Sequence, residues 1–254
     1  MIRFISLNAF IAIYTIILSI WSLIIAIFDM NGRIIHFYGA VPWAKGILWV
    51  CRVKVIVKGQ DNVESSLPRI YMTNHQSYFD ILAVLACLPV DFKFILKKEL
   101  MKIPIFGFAM NRARYIPIDR ENPRKAVKSM NEAAEKIKNG SSVLIFPEGT
   151  RSIDGRIQPF RPGGFHLALK SGCDLVPITI VNSHKIVPKG SLRIKKGSFT
   201  MNFGKPIPVK GYTRKNMDKL MNLVRETMIS QMNEELNSLS QDKNALHDSL
   251  QQST

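Results

Sequence analysis

Arg69-Ile70-Tyr71-Met72-Thr73-Asn74-His75-Gln76-Ser77-Tyr78-Phe79-Asp80, continued by the apolar run 81–88, reads as a strand, a polar turn and a helix. Other short apolar runs stand at 52–58, 92–96, 114–118, 142–146, 175–181, 192–194 and 199–203. In the first of these, valines fall at 53, 55 and 57, the period of two expected of a strand. Helical patterns separate several of the runs. The clearest is 123–139, where Asn122 is placed to cap, Pro123 opens the first turn and Gly140 follows the last. Asn139-Gly140-Ser141 also spells a glycosylation sequon. Strands alternating with helices predict an α/β domain around one mixed sheet flanked by helices. Met217, Leu220, Met221, Val224, Met228, Met232 and Leu236 trace one face of a late helix, and from about Ser238 the chain turns polar and is expected to fray. The expected domain is therefore 53–238, with 239–254 as a tail.

No charged residue lies between Arg3 and Asp29, and 4–28 (FISLNAFIAIYTIILSIWSLIIAIF) is a 25-residue run of mostly Ile, Leu, Phe and Ala. At ~1.5 Å per residue such a helix reaches about 37 Å, more than the ~30 Å of a bilayer's hydrocarbon. A buried core helix would be shorter and less uniformly apolar, and a signal peptide would offer small residues for cleavage where the chain has Ile24-Ile25-Ala26-Ile27-Phe28-Asp29. A second apolar stretch, 34–50, is interrupted by Gly39, Pro42, Lys45 and Gly46 and reads as a second helix dipping into the same leaflet. Residues 1–52 are thus expected to anchor the chain through one membrane-embedded helix or a helical hairpin. Trp21, Trp43 and Trp49 are the only tryptophans, and all three are expected at lipid headgroups. Deleting 1–52 is expected to release the domain from membranes.

The 254 residues carry 35 Lys+Arg against 19 Asp+Glu, a net charge of +16 that calls for a negatively charged partner. Residues 1–52 hold only Arg3, Arg33, Lys45 and Arg52 against Asp29, so most of that charge belongs to the domain. With the apolar segment in front of it, the expected partner is an anionic phospholipid membrane and not nucleic acid, and the domain is expected to face the cytoplasm. There the C-cap reading of Asn139-Gly140 prevails over glycosylation. Cys51, Cys87 and Cys173 are scattered without paired spacing, which predicts neither a disulfide framework nor zinc. No spacing for any other metal is present.

Two polar motifs carry chemistry. His75 and Asp80, five residues apart across a strand-to-helix turn, can place a carboxylate on one ring nitrogen and leave the other facing a cleft, the arrangement of a general base with its orienter. The alternative is a turn histidine beside a helix-capping aspartate. Phe146-Pro147-Glu148-Gly149-Thr150-Arg151-Ser152 ends the apolar run 142–146, where α/β sheets bind ligands. Gly149 and its neighbours can offer backbone N–H groups to an anion, with Arg151 as counter-charge. The alternative is a loop with a surface Glu–Arg pair.

Taken together and in order, these motifs resemble those of the glycerophospholipid acyltransferases, in particular the bacterial enzymes that acylate 1-acylglycerol-3-phosphate. The resemblance runs from about Val53 to Pro208. The family's NHxxxxD block is matched by Asn74, His75 and Asp80, its second block by Tyr115-Ile116-Pro117-Ile118-Asp119-Arg120, its FPEGTRS block in full at 146–152, and its proline-centred apolar block by Leu175-Val176-Pro177-Ile178. Lys97-Lys98-Glu99-Leu100 with Ile103-Pro104-Ile105-Phe106-Gly107 resembles the linker between the first two blocks.

The resemblance implies transfer of a fatty acyl group from a thioester, acyl-CoA or acyl carrier protein, to the sn-2 hydroxyl of lysophosphatidate, giving phosphatidate without a bound cofactor. His75 would be the base and Asp80 its orienter. Arg120 and Arg151, with Lys97 or Lys98, would hold the phosphate; Glu148, Gly149 and Thr150 would orient the acceptor or stabilise the oxyanion. No GxSxG elbow or well-placed cysteine suggests an acyl-enzyme. The implied location is the bacterial inner membrane. Related acyltransferases acting on glycerol-3-phosphate or another lysophospholipid are the alternative, and a non-enzymatic basic membrane-binding protein a remoter one.

Overall fold

Valines alternating along 53–57 do form an edge strand, and seven of the eight expected runs become strands. These are β1 (Val53–Lys58), β2 (Ile70–Thr73), β3 (Phe92–Lys97), β4 (Ile116–Ile118), β5 (Ser142–Ile145), β6 (Leu175–Val181) and β7 (Gly197–Phe203). The computed structural model describes residues 1–119 and 121–251. The strands make one sheet in the order β1-β7-β6-β2-β5-β3-β4, with β6 and β7 antiparallel and every other neighbouring pair parallel. Consequently β2, β3, β4, β5 and β6 all end at the same edge. Residues 192–194 do not form the expected eighth strand; Leu192 and Ile194 instead line a cavity.

The helices are α1 (Ile2–Ile25), α2 (Arg33–Ile35), α3 (Val41–Cys51), α4 (Phe79–Cys87), α5 (Phe106–Arg112), α6 (Pro123–Lys138), α7 (Gly163–Ser171) and α8 (Met217–Gln251). The ends of α6 follow from local chemistry. Asn122 Oδ1 accepts the Lys125 N–H at 3.1 Å, a cap that contributes about 1 kcal/mol, and Gly140 closes the helix at φ 88°. The polar segment expected to fray instead continues α8 as far as Gln251; residues 252–254 lie outside the described residues.

β2, β5 and β6 are buried at every position, as strands covered on both faces must be. Tyr71 and Leu144 point to one face, among residues of α3 and α4; Ile70, Met72, Val143 and Ile145 point to the other, among residues of α6, α7 and α8. The expected face of α8 packs there through Met217, Leu220, Val224, Met228 and Met232.

The N-terminal segment forms a helical hairpin. α1 ends in a 3-10 turn, and α2 runs through a π turn at His36–Ala40 into α3, which accommodates Pro42. Asp29 organises the bend by accepting the N–H of Arg33 at 3.1 Å and of Ile35 at 2.7 Å. At Gly32 (φ 73°) a Cβ would come within 2.5 Å of the Ala113 carbonyl oxygen, so the bend seats on the domain only as glycine. Arg112 Nη2 and Arg114 Nη2 donate to the carbonyls of Ala26 and Met30 at 2.9 and 3.2 Å, and Asn8 Nδ2 donates to Leu192 O at 3.3 Å near the other end of α1. The hairpin therefore lies along the domain. Ile35, Ala44, Ile47, Leu48 and Cys51 are buried in its core, which makes 1–52 part of the packed structure rather than a detachable leader. Ile13, Ile16, Ile17, Ile20 and Ile24 face outward at helical spacing, and both limbs are long and apolar enough to cross a membrane. Trp21 and Trp49 are exposed, whereas Trp43 points inward, donating to Thr15 Oγ1 at 2.9 Å.

Candidate active site

The turn between β2 and α4 is built around one buried carboxylate. Asp80 Oδ2 accepts the main-chain N–H groups of Gln76 and Ser77 at 2.6 and 2.8 Å and lies 2.8 Å from His75 Nδ1. An oxygen already accepting two N–H bonds favours the tautomer that carries the proton on Nδ1, which leaves the Nε2 lone pair free. Asn74 ties the turn to β6 through two bonds with Ile180, Nδ2 donating at 2.8 Å and Oδ1 accepting at 2.7 Å. Phe146 stacks on the His75 ring at 4.0 Å between centroids. The His75 ring is thus fixed in tautomer and in plane.

The turn after β5 supports that histidine from behind. Glu148, 3% exposed, accepts the His75 N–H at 2.7 Å on Oε1 and the Gln158 N–H at 2.9 Å on Oε2. Each oxygen accepts one main-chain N–H, so Glu148 is a buried strut between two loops. Burial pushes its carboxyl up to about 7, against the opposing pull of those two bonds. Gly149 takes φ 73°, and a Cβ there would stand 2.8 Å from Arg161 Nε. Its N–H, a candidate oxyanion donor, closes the turn onto Phe146 O at 3.1 Å.

Cations gather unevenly around this edge. The Arg151 guanidinium lies 3.7 Å above the centre of the Tyr78 ring, and its buried Nη1 has no partner among the described residues. Lys97 lines the same cavity, with Glu99 at 3.6 Å. Lys98 does not line it: its Nζ is 2.7 Å from Asp119, whose carboxyl that lysine holds below the usual carboxylate range. Arg120 lies outside the described residues. Lys189, which no motif contains, donates to Thr150 Oγ1 at 3.1 Å and Arg151 O at 2.8 Å.

The cavity measures about 640 Å³ and is overwhelmingly apolar. It passes His75, Phe146 and Gly149–Arg151 at one side and continues between α1, α3, α4 and α5, past Thr15, Trp43, Leu82 and Met110. A polar edge therefore opens onto a slot fit for hydrocarbon. No group of three or more metal-ligating side chains occurs among the described residues.

A family model described as acyltransferase matches residues 54–181, from β1 to the end of β6, with both turns inside. The chain belongs to the acyltransferase family. A chloroplastic 1-acyl-sn-glycerol-3-phosphate acyltransferase of Brassica napus is 39% identical over 185 residues, covering 72% of this chain and 53% of the relative. One from Limnanthes douglasii is 30% identical over 223 residues, covering 86% of this chain and 78% of the relative. The crystal structure of the 1-acyl-sn-glycerophosphate acyltransferase from Thermotoga maritima superposes with a TM-score of 0.77 at 25% identity, covering 92% of this chain and 97% of that one. The chain spans about half the length of the Brassica napus and Arabidopsis thaliana relatives.

In this acyltransferase the structure brings together His75, Asp80, Glu148, Gly149, Thr150, Arg151 and Lys97 at one edge of the sheet. Sequence reasoning missed three participants. Phe146 and Tyr78 sit inside the motifs, where their residue types promise core or surface equally. Lys189 is 38 residues beyond Arg151 and carries no local signal.

Proposed function

We propose that this acyltransferase transfers a fatty acyl group from a thioester to the sn-2 hydroxyl of 1-acylglycerol-3-phosphate, giving phosphatidate. The observation that carries this reading is the 2.8 Å contact of His75 with Asp80 at the rim of an apolar cavity that Arg151 also lines. The names of the relatives support the same acceptor.

In this mechanism His75 Nε2 takes the proton of the acceptor hydroxyl as its oxygen attacks the thioester carbonyl. The new C–O bond forms, the tetrahedral oxyanion collapses, the C–S bond breaks, and the imidazolium returns the proton to the departing thiolate. Asp80 stabilises the imidazolium, and general-base assistance of this kind contributes typically ~10²–10⁴ in rate. Arg151, Lys97 and Arg120 hold the phosphate, while Lys98 acts through Asp119. Thr150, next to the committed N–H of Gly149, is the better candidate to donate to the oxyanion. The acyl chain occupies the slot between the hairpin and α4 and α5. The donor is acyl-CoA or acyl carrier protein, and no bound cofactor enters the chemistry.

Residues 1–52 embed in one leaflet without crossing it, and 53–238 work at the cytoplasmic surface of the bacterial inner membrane. Support comes from the bend of the hairpin: bonded to Arg112 and Arg114, it stays on the same side as the domain. The deciding experiment is an assay of purified full chain crossing lysophosphatidate, glycerol-3-phosphate and lysophosphatidylcholine with both donor types. Preference for lysophosphatidate is expected; turnover restricted to another acceptor would replace this reading with that of a sibling acyltransferase.

A further inference from the structure

Lys189 stands in the irregular segment 183–196 that follows β6. Its surroundings are bonded to the His75 turn at two points and to the hairpin at a third. Ser77 Oγ donates to Val187 O at 2.9 Å, His184 Nδ1 lies 3.1 Å from Gln76 Oε1, and Leu192 O accepts from Asn8 of α1. The segment is therefore a strap running from the His75 turn to the hairpin, and Lys189 projects from a backbone already held in place. A lysine side chain loses much rotamer entropy when it is fixed, so two bonds from one exposed ammonium to one turn require a framework of this kind.

Those two bonds fall on the hydroxyl of Thr150 and the carbonyl of Arg151, the acceptors flanking the Arg151 side chain. Gly149 gives the start of this turn a left-handed backbone, and the Gly149 N–H bond to Phe146 closes it. Lys189 supplies the tie at its exit. With the Arg151 carbonyl held by the strap, the guanidinium stays over the Tyr78 ring, 3.7 Å from its centre, at the cavity that Arg151 lines; its Nη1 is buried and has no partner among the described residues. A planar fork recognises a phosphate monoester by direction as well as charge, so its value depends on its orientation.

We propose that Lys189 is a positioning residue of the phosphate site: it latches the 150–151 turn so that Arg151 presents its fork to the phosphate of the acceptor. This rests on the function proposed above. Lys189 acts through Arg151 and does not touch the phosphate.

The test compares Lys189→Met, Lys189→Arg, Arg151→Ala and the double variant Lys189→Met/Arg151→Ala as purified full chains. Lys189→Met is expected to raise the KM for lysophosphatidate roughly tenfold, the scale of losing hydrogen bonds to a charged group, with a smaller fall in kcat through its bond to Thr150. Lys189→Arg, which keeps two donors at similar reach, should restore most of the loss. Added to Arg151→Ala, Lys189→Met should cost less than about twofold more, because the latch has nothing left to position. A readout independent of turnover is phenylglyoxal labelling located by mass spectrometry, in which Arg151 should react several-fold faster in Lys189→Met. Full additivity with Arg151→Ala, or a raised KM with unchanged labelling of Arg151, would make Lys189 a direct phosphate contact and overturn the latch. Unchanged KM and labelling would overturn it as well. Wild-type chain inactive toward lysophosphatidate would defeat the functional reading instead, while the labelling would still decide the latch.

Discussion

Glu148 Oε1 accepts the main-chain N–H of His75 at 2.7 Å, so the acid of one motif holds the backbone of the other. Each motif taken alone also reads as an ordinary loop. Their juxtaposition follows from β2 and β5 being parallel neighbours, Ile70 opposite Val143, which brings both strand ends to one edge. Oε2 extends the same support to Gln158, so one carboxyl ties two loop positions to its own turn.

This strut should be visible in the pH dependence of stability. Burial raises the carboxyl from 4.5 to about 7, so the folded protein keeps a proton that the unfolded chain releases between those values. Stability is then fully present below the unfolded value, falls as pH rises through that window, and levels off above it. The size is at most about 3 kcal/mol, at 1.36 kcal/mol per unit. Glu148→Gln removes the titration and adds a pH-independent penalty of about 1–3 kcal/mol, since its amide NH₂ faces a main-chain donor. Denaturation of both proteins at pH 5 and pH 8 should give a difference that narrows toward high pH. Parallel profiles would remove the titration from Glu148.

What was legible in the sequence is what local physics determines. Strands buried on both faces appear as nearly continuous apolar runs, as in Leu175–Val181 with Thr179 its one polar residue, and the cap of α6 is written in Asn122 and Gly140. The His75–Asp80 contact was legible because its partners lie within one turn. Residues 192–194 misled because an apolar triplet suits a strand or a cavity wall equally, and only a paired neighbour distinguishes them. The Lys98–Asp119 pair, the Glu148 strut and the Lys189 bonds join residues 21, 73 and 38 positions apart, and no spacing rule encodes such distances. The polar 239–251 segment misled because composition overrode helical continuity from α8.

The hairpin should prove inseparable from the domain. Ile35, Ile47 and Leu48 are buried in one core with α4 and its neighbours, and each such side chain contributes roughly 1.5–3 kcal/mol. Their joint loss rivals a typical folding stability of about 5–15 kcal/mol. Deleting 1–52 should therefore give an aggregating or inactive product, since it also removes one wall of the cavity. Recovery of a monomeric, active 53–254 fragment from the soluble fraction would contradict this.

Arg151 should govern recognition of the acceptor more than turnover. Arg151→Ala is expected to raise the KM for lysophosphatidate by about tenfold or more, in line with loss of a charge-assisted pair, while kcat changes little. Arg151→Lys should recover little, because an ammonium has neither the fork nor the planar face that a guanidinium offers to the Tyr78 ring beneath it. Tyr78→Ala should reproduce a smaller part of the same effect, on the scale of a cation–π contact of about 0.5–2 kcal/mol. Steady-state kinetics on the three variants with lysophosphatidate varied would read all of this. An unchanged KM in Arg151→Ala would remove the phosphate assignment.

His75 and Asp80 make different demands, and substitutions should separate them. An alcohol keeps its proton at neutral pH, so attack on the thioester needs a base as the C–O bond forms, and losing it costs ~10²–10⁴ in rate. His75→Ala should lose turnover on that scale with its melting temperature nearly unchanged, because Glu148 bonds the His75 backbone and not the ring. Asp80 carries more. Its Oδ2 serves the ring and two main-chain N–H groups, so Asp80→Ala leaves two buried donors unpaired at about 1–3 kcal/mol each and should lower stability as well as rate. Asp80→Asn keeps an oxygen for those N–H groups but removes the charge that stabilises the imidazolium, so it should fold normally and lose kcat. Paired measurements of melting temperature and kcat on the three variants make the distinction. An Asp80→Asn protein that folds and turns over near the wild-type rate would reduce Asp80 to a turn-building residue and leave His75 without its electrostatic partner.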